Sequence, residues 1–140
     1  MSRGGDLLRL WRGPFSTSRR ERFLRMLPAL GWMAVIFTLS SLTSDEVPSG
    51  VIDERLGHAL EYFVLTILLM IAVAGFARPE VSALHFAISG AIAMAWAASD
   101  EWHQSFTPGR DPSVKDLAFD AVGTVAALLL LAVALGRGRR

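Results

Sequence analysis

Four charge-free apolar runs punctuate the chain, each bounded by charged or turn-forming residues. Met26–Ser44 and Val81–Ser99 are 19 residues each, and His85 is the sole ionisable group in either. A bilayer core of roughly 30 Å is crossed at about 1.5 Å per residue, so both are long enough unaided. Tyr62–Ala77 and Ala121–Gly136 are 16 residues each, and at about 24 Å of helix they fall about one turn short. Extending them to His58–Ala77 and Leu117–Gly136 restores the length and takes Glu61 and Asp120 into the membrane zone. The pattern predicts an all-α, four-helix transmembrane bundle.

Charge fixes the expected orientation. Residues 1–25 hold seven arginines against Asp6 and Glu21, and Arg137, Arg139 and Arg140 close the chain. The stretches 43–57 and 100–116 are net acidic, and the short turn at 78–80 holds Arg78, Pro79 and Glu80. Basic flanks stay in the cytoplasm, so both termini are expected inside (N-in, C-in), with two outward-facing loops. One membrane domain, 26–136, then lies between a basic cytoplasmic leader, 1–25, and a basic cytoplasmic tail, 137–140. An Arg-rich start before an apolar run can also be a cleaved signal peptide. A run of 19 residues is longer than such peptides use and favours a retained span. Leu7, Leu8, Leu10, Trp11 and Phe15 in the leader fit either an interfacial segment on anionic lipid or a basic tail.

Composition narrows the classes. Hydrophobic residues make up 52% of 140, too many for an ordinary soluble domain, and the net charge of +1 conceals the segregation just described. No basic stripe is interleaved with aromatics, which argues against a nucleic-acid partner. Cysteine is absent, excluding disulfides, thiolate nucleophiles and thiolate-held metals.

Helical spacing also suggests how the spans pack. Ala83, Ala87, Ala91, Ala95 and Ser99 recur every four residues, and in lipid such small residues mark a helix interface. On the fourth span Asp116, Asp120, Gly123 or Thr124, and Ala127 share one face, as do His58 and Glu61 on the second. Tyr62, Phe63, Trp102 and Phe106 are expected in an outer aromatic belt, or gripping a lipid tail or sugar. His85 lies near the cytoplasmic end and is expected to be a satisfied or headgroup-level histidine.

The chemistry concentrates in SDEWHQSFTPGRDPSVKDLAFD, Ser99 to Asp120, with Asp100, Glu101, His103, Gln104, Arg110, Lys115, Asp116 and Asp120. Pro108-Gly109 is a turn signal that folds Arg110 back toward Asp100 and Gln104. His58 and Glu61 follow the first acidic loop in LGHALEYF. Ser105 and Ser113 offer hydroxyls near His103, but nothing resembles a nucleophile elbow or triad.

These two segments resemble the VanZ-like family of small bacterial membrane proteins. The likeness runs from roughly Leu30 to Ala134. One part is carried by Asp53/Glu54-Arg55, His58, Tyr62 and Leu65. The other is carried by Asp100-Glu101, Gln104, Phe106, Pro108-Gly109-Arg110, Ser113, Asp116, Asp120 and Gly123. The chain departs from the family pattern in having Arg55 where Lys is frequent and Asp120 where Asn is frequent. The resemblance implies a multi-pass protein of the bacterial cytoplasmic membrane. The founding member of the family is associated with resistance to the glycopeptide teicoplanin.

Glu61 and Asp120 lie about 5 Å inside their helix ends, which suits the outer headgroup layer better than a midplane relay. The expected function is therefore binding or modification of an anionic, lipid-linked cell-envelope component, with a membrane lipid or cell-wall precursor as partner. Arg110 would anchor the anion, and Glu61, Asp100, Glu101, Asp116 and Asp120 would hold protons or a divalent cation. His58 and His103 would supply acid–base capacity or, with carboxylates, ligate zinc. Two other readings stand beside it. In one, Arg110 satisfies Asp116 and Asp120, His58 bonds Glu61, and the network only holds helices together. In the other, the chain is a small transporter.

Overall fold

The computed structural model describes residues 19–43, 53–74 and 81–137, with the backbone alone for Arg19, Glu54 and Arg137. Four helices account for nearly all of it: α1 Arg19–Ser40, α2 Glu54–Ala74, α3 Ala83–Gln104 and α4 Val114–Arg137. The leader before Arg19, most of the first acidic loop and the turn at 78–80 lie outside the described residues.

Local chemistry sets the helix starts. Asp53 caps α2, its Oδ1 accepting the N–H groups of Arg55 (3.0 Å) and Leu56 (3.4 Å). At the head of α3, His85 Nδ1 accepts the Ser82 N–H at 3.1 Å, so this histidine is satisfied, as expected. Ser113 opens α4, its hydroxyl accepting the Lys115 N–H at 3.1 Å, with Asp116 in the positively polarised first turn. Gly109, at φ 76°, makes the reversal between α3 and α4 in a conformation that side chains resist. Pro28 lies inside α1, a placement that membrane helices accommodate more readily than soluble ones.

Among the described residues three helices, over Arg20–Ser40, Arg55–Ala74 and Val114–Gly136, are long and apolar enough to cross a membrane. The third of the four expected spans is the exception. Its helix, α3, has the length, but it is rich in alanine and carries Asp100 and Glu101 near its end. Large apolar side chains face outward from the bundle, among them Leu27, Leu30 and Phe37 on α1 and Leu129, Leu130 and Val133 on α4. A soluble bundle hides such residues; a lipid-facing one displays them.

The interior is built from smaller groups around α2, which packs against each of the other helices. Ala29, Ile36, Tyr62, Leu65, Leu69, Ala93 and Ala97 form its core. Gly123 of α4 rests on the backbone of Ala59, leaving no room for a Cβ. The expected face of α4 is the buried one: Asp120, Gly123, Thr124 and Ala127 all point inward, with Asp116 half-buried above them.

Two expectations need correction. The stripe Ala83, Ala87, Ala91, Ala95 and Ser99 is exposed, and α3 instead turns Ser89, Ala93, Ala97, Asp100 and Gln104 inward. This helix is small-sided on two faces, so alanine spacing alone cannot choose between them. The pair Asp100 and Gln104, which must find polar partners, sets the rotation. Tyr62 is likewise no belt residue. It is 0% exposed, because it lies one turn below His58 on the inward stripe of α2. Trp102 and Phe106, at 70% and 68% exposed, do fit a belt and meet edge to face at 5.3 Å.

Candidate functional site

Where α1 and α3 finish and α2 and α4 begin, the bundle has a buried polar end. Each helix delivers polar side chains to it: Ser40 from α1, His58 and Glu61 from α2, Asp100, Glu101 and Gln104 from α3, and Asp116 and Asp120 from α4. The α3 helix runs through Gln104, so these three polar residues, and His103 with them, stand on helical turns and not in the loop.

At its centre, His58 Nδ1 and Asp120 Oδ1 are 3.0 Å apart, with Asp120 1% exposed. A buried carboxylate requires such a partner, because removing a lone charge from water is costly. Asp120 reaches the site only because Gly123, three residues on, lets α4 close against α2. One turn further from this end, the hydroxyls of Thr66 and Thr124 meet at 3.3 Å.

Beside this pair stands a second, separate knot. Asp100 is 4% exposed, and its Oδ2 accepts the Ser40 hydroxyl at 2.7 Å and the Gln104 amide at 3.2 Å. Gln104 also reaches the Ser40 hydroxyl at 3.4 Å. Glu101 bridges to the loop, its Oε2 accepting the Ser113 N–H at 2.8 Å. It lies beyond the apolar run that ends at Ser99, and burial raises its carboxyl above the usual range while the Ser113 N–H pulls it back. Trp32 of α1 donates to the backbone carbonyl of Glu61 at 2.9 Å, fixing that turn of α2.

His58, Glu101 and Asp120 come closest to a metal-ligating arrangement. One ligand atom from each lies within 4.8 Å of the others. Glu101 is half-buried as a residue, and its Oε1 is fully buried with no hydrogen-bond partner. The same is true of Asp100 Oδ1 and the Tyr62 hydroxyl.

Two residues expected at the site lie away from this centre. His103 stacks on Phe37 with ring centroids 4.4 Å apart, and its Nε2 meets the Ser41 hydroxyl at 3.0 Å. Arg110 turns to the end of α1, donating from Nε to the Leu42 carbonyl at 3.2 Å and from a terminal nitrogen to that of Leu39 at 3.4 Å. Free carbonyls at a helix C-terminus attract a cation in this way. The reading in which the network only holds helices together supposed that Arg110 pairs with Asp116 and Asp120 and His58 with Glu61; among the described residues, His58 and Asp120 pair with each other instead.

Some contributors escaped the sequence reading. Ser40 is an ordinary polar residue at the end of an apolar run, and only the crossing of α1 with α3 gives it Asp100 as a partner. Trp32 carries no signal at all before the fold is known. Tyr62 stood in the motif but was assigned to the wrong surface.

This architecture defines a small helical membrane protein with an acid–histidine cluster buried at one end of its bundle. A family model described as VanZ/LLP1 matches residues 14–135, and the chain belongs to this VanZ-like family. No curated protein and no solved structure matches it.

Proposed function

We propose that this VanZ-like protein is a multi-pass protein of the bacterial cytoplasmic membrane, N-in and C-in, with its polar end at the outer leaflet. There it binds or modifies an anionic, lipid-linked cell-envelope component, and through that component it alters susceptibility to glycopeptides such as teicoplanin. The observation that carries this reading is the His58–Asp120 pair, buried about one turn inside the polar end and flanked by Glu61, Asp100 and Glu101. A carboxylate that orients an imidazole equips it to exchange protons, and this depth is where lipid headgroups lie. The N-termini of α2 and α4 open at the same end and favour phosphate. Arg110 stands at the rim, where its guanidinium joins the loop to α1.

The alternative, a network that only holds helices together, is favoured by one observation: Ser40, Asp100 and Gln104 hydrogen-bond to one another across α1 and α3. Alanine substitution of Glu101 or Arg110 separates the two readings. Expression of the wild-type chain should shift the teicoplanin susceptibility of a sensitive host. Each variant should lose that shift at unchanged membrane abundance. Loss of abundance instead would favour the structural alternative. Native mass spectrometry of gently extracted protein should reveal a co-purifying lipid-linked phosphate that is lost with Asp120→Ala.

A further inference from the structure

The polar end gathers the carboxyl groups of Glu61, Asp100, Glu101 and Asp120 around the imidazole of His58. Hydrogen bonds account for part of this set. Asp120 is held by His58, Glu101 Oε2 by the Ser113 N–H, and Asp100 Oδ2 by Ser40 and Gln104. Three oxygens are not accounted for: Glu101 Oε1, Asp100 Oδ1 and the Tyr62 hydroxyl are buried without a partner. Asp100 and Tyr62 are 4% and 0% exposed. The Tyr62 hydroxyl also lies within electrostatic reach of Glu61, Asp100, Glu101 and Asp120. Each such orphan costs about 1–3 kcal/mol, and Glu101 Oε1 belongs to a residue whose ligand atoms cluster with those of His58 and Asp120.

We propose that His58, Glu101 and Asp120 form a binding site for one divalent transition-metal ion of the zinc class. Their ligand atoms lie within 4.8 Å of one another, and small side-chain shifts bring them to the roughly 3.3 Å separation of ligands around a tetrahedral ion. The donor set selects the ion. An imidazole nitrogen disfavours magnesium and calcium, which take oxygen ligands. The absence of cysteine removes the soft thiolates that favour cuprous ions. Two carboxylates and one imidazole match zinc or manganese, and three protein ligands leave a coordination position open. Glu101 Oε1 gains its partner directly. Ser113 holds the other oxygen of Glu101, an outer contact of the kind that orients a metal ligand. The ion also offsets the carboxylate charge, displacing the proton shared by His58 and Asp120 as it enters.

This inference stands apart from the lipid reading, and one experiment distinguishes them. Tag-free full-length protein in detergent is stripped with chelator, then titrated with zinc, manganese or magnesium chloride and followed by metal analysis and thermal unfolding. One zinc or manganese per chain is expected, with a raised melting temperature and no comparable effect of magnesium. Changing an outer contact typically weakens metal sites 10–100-fold, so Glu101→Gln and Asp120→Asn should each weaken binding at least about tenfold. His103→Gln should leave it unchanged. If Asp120→Asn fails to fold, Glu101→Gln, at a less buried position, carries the test. Absence of a stoichiometric ion, or full affinity in Glu101→Gln, overturns the metal site and leaves lipid binding standing. Zinc binding with no co-purifying lipid-linked phosphate has the reverse effect.

Discussion

Gly123 on α4 lies directly against the backbone of Ala59 on α2, so close that a methyl group at position 123 would occupy the space of the Ala59 carbonyl. The contact is backbone to backbone, and neither side can move a rotamer out of the way. In a lipid solvent such close approach is a main source of helix association, since apolar burial gains little there. It also sets the distance at which Asp120 meets His58.

Gly123→Ala should therefore destabilise the bundle by about 1–3 kcal/mol, the usual range for overpacking. Gly31→Ala on α1, where a Cβ meets nothing within 4 Å, should be neutral or slightly stabilising, since alanine is the better helix former. Thermal unfolding of both variants in the same detergent checks the pair. Equal melting temperatures would contradict the close contact.

The rotation of α3 can be tested at two alanines. Ala93 is 0% exposed and belongs to the core, whereas Ala91 faces outward. Ala93→Leu should cost about 1–3 kcal/mol by overpacking, and Ala91→Leu should be tolerated. The opposite ranking of melting temperatures would restore the exposed alanine stripe as the packing face.

Removing one partner of the His58–Asp120 pair should be worse than removing both. Breaking a buried pair from one side costs about 3–5 kcal/mol, because the other group is left uncompensated. A double-mutant cycle with His58→Ala and Asp120→Ala, run in chelator so that the protein pair alone is read, should return a coupling of at least about 1 kcal/mol. Additive losses would mean that the 3.0 Å contact carries no stability.

Because the chain lacks cysteine, single-cysteine labelling reports topology without background. Asp111→Cys, exposed beside the polar end, should react with an impermeant maleimide in intact cells. Gly136→Cys, near the opposite end of α4, should react only after lysis. The reverse pattern would place the acid–histidine cluster on the cytosolic side and remove the basis for an outer-leaflet function.

Much of this molecule was legible from its sequence. The apolar runs fixed four helices because a helix is the cheapest way to satisfy backbone groups in lipid. The short runs ending at Ala77 and Gly136 announced Glu61 and Asp120, since a carboxylate there is expensive enough to stand out. The inward face of α4 could be read because Asp120, Gly123, Thr124 and Ala127 admit one stripe. Pairing could not be read in the same way. Asp120 has His58, Glu61 and Arg110 as plausible partners in one dimension, and only the closure of α2 on α4 selects His58. α3 offers two small-sided faces of equal promise, and the partners of Asp100 and Gln104 on α1 choose between them. Helix existence rests on local hydrophobicity and backbone hydrogen bonding, which each segment carries within itself. Partner choice depends on distances between segments, and those exist only once the four helices have packed.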